Sequence, residues 1–424
     1  MRTFFVILAG QTLSSLGSHL TEFSLSVWIF QETGSPVQFA VGLLTSTVPR
    51  ILLQPLIGVL VDRWNRKTVM IVADSILALR TVAVFILLTL GRLSVVHIYA
   101  LNLAASIFGG FHSLAWSASK TLLVPKKHLA RVNGLTSTLS SAKGLVSPAL
   151  AGALYVTIGV RGIVAIDLIS WLFAIVPLFL VTVPTPAIQT TSERDRLVDD
   201  IRQGWRHLSS MPGLVYLLAF YSSVGFVGIT TEVLLAPYIL SFGSAADYGI
   251  VQSGASLGFL AGGILLTLLG NPGKVVRIII ALETLICVCG ALVGVFPTLW
   301  VVVPLMAVYS ATVAFCDGTI MTLWQRKVRP ELQGRVFALK ETLTMALMPI
   351  GVAISSPIAE YWLEPNLRVG GAWANGIGRL IGVGPGRGIG LLFLASNVIC
   401  IPIIILALFS RKLRRADVDL PDHF

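Results

Sequence analysis

Long apolar runs separated by short polar stretches are the dominant pattern along this chain of 424 residues. A helix needs about 20 mostly apolar residues to cross the hydrocarbon core of a bilayer. Windows of that length predict twelve membrane-spanning helices, and an even number places both chain ends on one side. The predicted spans cover 4–30, 39–61, 68–90, 95–117, 133–157, 162–182, 213–241, 248–269, 275–296, 299–323, 336–360 and 388–410.

The composition points to lipid as the solvent for much of this chain. Hydrophobic residues make up 55% of the sequence and charged residues only 12%, with a mean hydropathy of +0.85. Soluble domains carry about 25% charged residues, so this chain has too few to cover a large globular surface. An all-α membrane protein is therefore predicted. The four cysteines lie in apolar runs, and we interpret them as packing residues.

The net charge of +11 suggests either a nucleic-acid partner or basic cytoplasmic loops. The positions decide between them, because 22 of the 31 lysines and arginines lie in the loops and termini of one side. The other side has five: Arg92, Arg161, Arg368, Arg379 and Arg387. The positive-inside rule then places both termini in the cytoplasm of a cell inner (plasma) membrane protein, with no nucleic acid involved.

The longest predicted cytoplasmic connection divides the chain near its middle. We expect two six-helix bundles, a linker between them and a short tail, at 1–183, 212–410, 184–211 and 411–424 respectively. The linker has four apolar residues on one helical face: Val198, Ile201, Trp205 and Leu208. This pattern fits an amphipathic helix on the membrane surface, and it fits a solvated charged linker equally well.

Short matches between the two halves indicate an internal duplication. They pair Thr21-Glu22 with Thr231-Glu232, Gly58-Val59-Leu60 with Gly263-Ile264-Leu265, and Arg131-Val132 with Arg335-Val336. The offsets are 210, 205 and 204 residues, and each match has the same place in its half. Two pseudo-symmetric halves related by an axis along the membrane normal are a known transporter plan, with the substrate site at their interface.

The loop after the second span reads Gly58-Val-Leu-Val-Asp62-Arg63-Trp-Asn-Arg66-Lys67. Gly58 would allow close helix packing, and Asp62 can pair with a nearby arginine or a helix N-terminus. A glycine, an Asp-Arg pair and a basic pair between spans two and three resemble the loop signature of the major facilitator superfamily. The resemblance implies that this cluster is a latch that holds the two halves in the outward-facing state.

The fifth span contains a second motif, formed by Gly144, Ser147, Pro148 and Gly152. It resembles the glycine-proline motif that antiporters of the superfamily carry in this helix, with serine at one usual glycine position. Such residues kink and thin a helix so that a neighbour can rock against it, or they serve ordinary close packing. The chain also resembles the macrolide-efflux-like, drug:proton antiporter branch of the superfamily, in the segments 124–133, 325–336 and 384–388.

Nine ionisable residues fall inside the predicted spans, where charge is costly and usually functional. They are Glu22, Arg50, Asp74, Arg80, Lys143, Asp167, Glu232, Glu283 and Asp317. In the superfamily, spans one, four, seven and ten line the central cavity. That selects Glu22, Glu232 and Asp317, with lesser cavity candidates Asn102, His112 and Trp116 on span four. The remaining acids and Arg80 are expected to be structural.

Glu22 and Glu232 form the predicted proton or substrate pair, because the repeat puts them at equivalent heights. A carboxyl group in such a place can carry a proton across, or attract a cationic substrate when ionised. The alternative is that Glu22 forms a buried structural pair with Arg50 or Lys143. Many drug:proton antiporters of the superfamily have a relay arginine in span four, which is absent here. Lys143 is the candidate substitute, and the coupling ion stays open.

These features together predict a monomeric secondary transporter that exports drug- or macrolide-like amphipathic molecules, coupled to protons through alternating access. Two rivals remain, a dedicated exporter of a siderophore-like product and a lysophospholipid flippase. The sequence has no phosphate loop, metal-spaced His/Cys set or nucleophile triad, so no enzyme activity, cofactor or metal is expected. The glycine-rich outer segment 361–387 fits a lid or a flexible loop, and we expect the loop.

Overall fold

A computed structural model describes residues 2–125, 128–180, 202–203, 205–270, 275–410, 413 and 417. Ten of the helices in these ranges are long and apolar enough to cross a membrane, and no strand occurs in them. The all-α membrane fold is thereby confirmed. The chain divides into two compact units: unit 1 is Met1–Gln189 with Gly243–Ser253, and unit 2 is Thr190–Phe242 with Gly254–Phe424.

Unit 1 consists mainly of α1 (Arg2–Thr33), α2 (Pro36–Arg63), α3 (Arg66–Thr89), α4 (Val95–Leu123) and α5 (Leu129–Leu180). Short polar side chains start the second and third of these helices. Ser35 Oγ accepts a hydrogen bond from the Gln38 amide at 3.1 Å, and Asn65 Oδ1 accepts one from the Lys67 amide at 3.0 Å. Such caps satisfy amide groups that have no partner within the helix.

α5 consists of two helices joined across a kink at Gly159, whose backbone is not helical, with a φ of 67°. Glycine adopts this left-handed backbone conformation without the steric cost that a Cβ would bring. The kink divides α5 into the predicted fifth and sixth spans. The ten candidate spans include α5 once and do not include α1. Counting α5 as two spans and adding α1, which packs along α5, gives the twelve predicted crossings.

Among the described residues of 212–410, unit 2 has six long helices or helix pairs, one π-helical turn and two short helices. They are α6 (Pro212–Leu240), α7 (Ala245–Leu269), α8 (Val275–Val295), α9 (Leu299–Lys327), α10 (Pro330–Met345), α11 (Leu347–Pro357), a π-helical turn Ile358–Leu363, α12 (Glu364–Asn366), α13 (Gly378–Ile381) and α14 (Arg387–Phe409). The first turns of α7 belong to unit 1. The predicted eleventh span is therefore interrupted, since it comprises α10, α11 and the π-helical turn.

The core of unit 2 is built from α6, α8, α9 and α14 around the fully buried Trp324. Three of the four cysteines, Cys287, Cys316 and Cys400, belong to this core, and Cys289 is also buried. Their burial is that of small packing residues.

Glycines on one face of α7 bring its backbone close to α9. A Cβ built on Gly258 would collide with the carbonyl oxygen of Ala307, and one on Gly262 with that of Ala311. Small residues spaced by four allow helices to approach closely in membranes, where dispersion contacts replace the hydrophobic effect between helices. This contact is an essential part of the packing of unit 2.

The outer segment 361–387 is a loop of short helical pieces and hydrogen-bonded turns. The Trp373 amide donates to the Asn366 carbonyl at 3.0 Å and the Gly384 amide to the Leu367 carbonyl at 2.9 Å. The buried guanidinium of Arg387 donates to the Ile381 carbonyl at 3.0 Å. Glycines form the tight turns of this segment. These hydrogen bonds and a small apolar core hold the turns together.

Most of the predicted linker 184–211, including Val198 and Ile201, lies outside the described residues. Its last part, 205–209, is helical. Leu208 is fully buried in the core of unit 2, and Trp205 is half exposed.

Candidate functional site

The two acids of the repeat have the same setting, each in its own unit. Glu22 lies on α1 with 59% of its side chain exposed, and Glu232 lies exposed on α6. The preceding threonine is buried in both cases, Thr21 at 1% and Thr231 at 0% exposure. His19 Nδ1 lies 3.5 Å from Glu22 Oε2. No Lys, Arg or His nitrogen of the described chain lies within 4.0 Å of the Glu232 carboxylate.

The cations predicted to neutralise Glu22 are bonded elsewhere. Lys143 Nζ donates to Ser15 Oγ at 2.7 Å, and Arg50 Nη2 lies 3.4 Å from Ser113 Oγ. Arg50 acts on Glu22 only at longer range. The buried structural pair is therefore not formed, because the side chain of Glu22 is exposed and hydroxyl groups hold the two cations.

Asp74 on α3 is buried and has polar partners on two other helices. Gln11 Nε2 of α1 donates to Asp74 Oδ2 at 2.9 Å. His112 Nε2 of α4 lies 3.2 Å from Asp74 Oδ1. His112, predicted to line the central cavity, thus faces an interior carboxylate.

A second buried network in unit 1 surrounds Asp167. Ser18 and Thr81 donate to its two carboxylate oxygens at 3.1 and 3.2 Å. Arg80, whose charge also acts on Asp167, donates to Asn102 Oδ1 at 2.9 Å. Asn102 is buried: its amide oxygen accepts from Arg80, and its amide nitrogen donates to the Gly42 carbonyl at 3.3 Å, so its place on the central cavity stays a prediction.

Several of these partners come from α1 and were absent from the predicted site. Together with the predicted Glu22 they follow a helical spacing of three and four residues along one stripe of an apolar span: Gln11, Ser15 and Ser18. Polar residues at this spacing share a helix face. The stripe is the signal by which the interior network can be found from the sequence.

In unit 2 the interior acids contact hydroxyl and thiol groups. The Tyr221 hydroxyl donates to Asp317 Oδ1 at 2.6 Å, and Cys316 Sγ lies 3.5 Å from Glu283 Oε1. Lys340 interacts with Asp317 only through long-range electrostatics, because its Nζ forms an ion pair with Glu341 Oε1 at 2.8 Å. Across the described ranges, no group of three or more His, Cys, Asp or Glu could hold a metal ion.

An apolar cavity of about 590 Å³ opens beside α3 and α4 in unit 1. Its size is within the range of sites for drug-sized ligands. The lining residues are Trp64, Asn65, Thr68, Val69, Val72, Ala73, Phe108 and Phe111. Two of them, Ala73 and Phe111, are the chain neighbours of Asp74 and His112. The predicted Trp116 is half-buried and stacks on Phe4, with ring centroids 5.8 Å apart.

The predicted latch differs from expectation at its glycine. A Cβ on Gly58 would meet no described atom within 4 Å, so this glycine does not serve close packing here. The side chain of Asp62 lies outside the described part of the chain. Lys67 Nζ donates to the Phe179 carbonyl at 3.3 Å. The remaining basic members are exposed or half-buried: Arg63 and Arg66.

The fifth-span motif packs on the first turns of α7 within unit 1. A Cβ on Gly152 would lie 2.7 Å from the Ala245 carbonyl oxygen, and one on Gly249 would lie 2.5 Å from that of Pro148. A Cβ on Gly144 would meet no described atom within 4 Å. The other member is a buried serine, Ser147. Close helix packing thus accounts for Gly152 and not for Gly144.

Comparisons with known proteins converge on one family. The family model described as Major Facilitator Superfamily matches residues 7–352. Macrolide efflux protein A of Streptococcus pyogenes is 29% identical over 361 residues, covering 84% of this chain and 89% of that protein. The protein of the same name from Enterococcus faecalis is 30% identical over 323 residues, covering 75% of this chain and 100% of that protein.

The fold is similar to solved transporter structures. A bacterial homologue of the human lysosomal transporter Spinster, in an inward-facing and unoccupied conformation, gives a TM-score of 0.69 and covers 98% of each chain. The sequence identity is 16%, so this likeness concerns the fold alone.

Proposed function

The chain belongs to the Major Facilitator Superfamily of membrane transporters, and from that premise we propose that it exports small amphipathic, drug- or macrolide-like molecules by proton antiport. The proposal extends to alternating access of two six-helix bundles, with the boundaries 1–183 and 212–410. We also propose that both termini lie in the cytoplasm and that the protein works as a monomer in the plasma membrane.

The substrate class and the direction of transport are supported by the relatives. Two proteins named for macrolide efflux match this chain over 84% and 75% of its length. The apolar, aromatic-lined cavity of unit 1 suits molecules that partition into the bilayer, because its walls offer dispersion contacts and few hydrogen bonds.

The single observation that carries the coupling mechanism is the repeated acid. Glu22 and Glu232 sit at corresponding places of the duplicated halves, each exposed beside a buried threonine. Ionisable groups at membrane depth are costly, so their presence at exposed positions in both halves favours a role in binding protons or cationic substrate. The fifth-span motif and the basic loop after the second span would then serve the conformational change.

The test uses purified protein in proteoliposomes with an imposed pH gradient and a labelled macrolide as the probe. We expect gradient-driven transport by the wild type, and a loss on the order of tenfold or more in Glu22→Gln and Glu232→Gln. Glu32→Gln is the matched control, since Glu32 is an exposed glutamate on the same helix as Glu22. Full gradient-driven flux in both site variants would contradict the role of the carboxyl pair.

The same vesicles separate the rival substrates. Movement of a labelled lysophospholipid without macrolide transport would replace drug export by lipid flipping. Transport of a siderophore-like chelate alone would indicate a dedicated exporter. Tags at both termini should be accessible from the cytoplasmic side only, and labelling of one terminus from outside would contradict the proposed topology.

A further inference from the structure

Three helices of unit 1 meet at a buried carboxylate that the proposed transport pair does not include. Asp74 of α3 has 8% of its side chain exposed, and it is approached from α1 and α4. The Gln11 amide donates to one carboxylate oxygen at 2.9 Å. The His112 imidazole nitrogen Nε2 lies 3.2 Å from the other.

The chemistry of this trio is that of a buried carboxylate within ion-pair distance of an imidazole. His112 Nε2 makes no hydrogen bond, so the link to Asp74 is one of charge. Histidine is the side chain whose charge changes closest to neutral pH. An imidazolium beside Asp74 makes the pair neutral overall, whereas a neutral imidazole leaves one buried negative charge, which is costly in a membrane.

The charged groups around His112 leave this pairing undisturbed. On α2, Arg50 is engaged with Ser113, and on α3, Arg80 is bonded to Asn102. On α4 itself, Lys120 lies two turns away, 5.7 Å over the ring of Trp116. The α1 residue at the trio, Gln11, is uncharged. Within the described ranges, no Lys or Arg nitrogen comes within 4.0 Å of the Asp74 carboxylate.

We propose that His112, within ion-pair distance of Asp74, is a proton-accepting residue in the N-terminal half, distinct from the exposed pair Glu22 and Glu232. Its role in transport rests on the proposed proton antiport. The imidazole is 19% exposed, more than its carboxylate partner, so the proton enters from the histidine side. Because Ala73 and Phe111 line the neighbouring cavity, an occupant there would press on the two helices that hold the pair.

The first experiment measures the proton itself and needs no transport. The chain has six histidines, so histidine-labelled protein in nanodiscs gives few NMR resonances, and His112→Gln identifies one of them by its loss. We expect that resonance to move with pH, and its response to pH to differ in Asp74→Asn, because this variant removes the neighbouring carboxylate charge. The control is His97→Gln, on the same helix, where Ser94 is the partner. It should leave the His112 response unchanged.

A His112 resonance that stays fixed from about pH 5 to 8, or that responds identically in Asp74→Asn, would overturn the proposal. The other five histidine resonances report whether each variant is folded. Asp74→Asn keeps the shape of the side chain, so it provides a second route if His112→Gln is misfolded.

The second experiment places the residue in the transport cycle. In proteoliposomes, His112→Gln should lose pH-gradient-driven macrolide flux by about tenfold and keep exchange of labelled for unlabelled macrolide. Unchanged gradient-driven flux in this variant would remove His112 from the cycle. A wild type without any gradient-driven flux would refute the proposed antiport, and the NMR titration would still decide whether His112 accepts a proton.

Discussion

The interior acids of the two units have different partners, although the units derive from one repeated plan. In unit 1, the His112 imidazole lies 3.2 Å from Asp74. Asp167 accepts hydrogen bonds from two hydroxyl groups and also interacts electrostatically with the buried Arg80. In unit 2, Asp317 and Glu283 have a tyrosine hydroxyl and a cysteine thiol. The two halves thus share an exposed glutamate after a buried threonine, while their interior polar contacts differ.

The difference has an energetic consequence. Removing a cation from a buried network leaves an uncompensated charge, which is strongly destabilising. Removing a hydroxyl partner costs only the net value of a hydrogen bond and the exposure of one acceptor. We therefore expect unit 1 to respond to charge removal and unit 2 to respond mainly to changes in packing.

The largest effect is expected for Arg80→Ala. Arg80 is buried, donates to Asn102 at 2.9 Å and acts electrostatically on Asp167, so its loss should cost about 3 kcal/mol. Thermal unfolding followed by fluorescence-detected gel filtration measures the change. Arg92→Ala, at an exposed loop position, is the control and should be close to neutral. Equal melting temperatures for the two variants would show that unit 1 does not depend on this cation.

The next effect concerns packing in unit 2. Gly258→Val places a side chain against the Ala307 carbonyl and should force α7 and α9 apart, at a cost of about 2 kcal/mol. Gly263→Val is the matched control, because a Cβ at Gly263 meets no described atom within 4 Å. The same unfolding assay applies. A similar loss in both variants would point to helix propensity as the cause, since close contact is present at one site only.

A smaller effect is expected for Tyr221→Phe, which removes the donor to Asp317 Oδ1. The net loss should be about 1 kcal/mol, the usual value of one hydrogen bond. Tyr361→Phe, at a side chain with 68% exposure, should change nothing measurable. A loss for Tyr221→Phe that matches Arg80→Ala would mean that this hydroxyl compensates charge as strongly as the arginine does in unit 1.

The fold was predictable because bilayer thickness sets the length of the apolar runs. The windows therefore located the spans, and basic residues between them indicated an orientation that the topology test can check. Kinks are harder to predict, since the two spans of α5 are separated by one non-helical glycine at position 159 and not by a polar loop. The turns of 361–387 were missed because glycine content gives no information on which backbone groups bond to each other.

The site was predictable only in part, because hydropathy finds ionisable residues but leaves their rotational register undetermined. The exposure of Glu22 and Glu232 agrees with a position on a wetted helix face. The contacts of Asn102 with Arg80 and of His112 with Asp74 depend on how α3 and α4 are rotated against each other. Only the polar stripe of α1 carried that information in the sequence.

The smallest expected effect is the most direct test of the difference between the interior acids of the two units. Glu283 is 4% exposed, and its contact is the Cys316 thiol at 3.5 Å, with no cationic nitrogen of the described chain within 4.0 Å. Glutamine keeps its shape and can still contact the thiol, so Glu283→Gln should change stability by less than about 1 kcal/mol. Asp167→Asn replaces one of the two carboxylate oxygens that accept from Ser18 and Thr81 and removes the charge near Arg80, which should cost about 2 kcal/mol.

Thermal unfolding of these two variants, with Cys316→Ala alone and combined with Glu283→Gln, gives the coupling between acid and thiol. We expect a coupling close to zero, because a weak thiol donor adds little to a buried carboxyl. If Glu283→Gln destabilised the protein as much as Asp167→Asn, the acid of unit 2 would be held as an ion. The asymmetry between the units would then lie in the type of partner rather than in charge compensation.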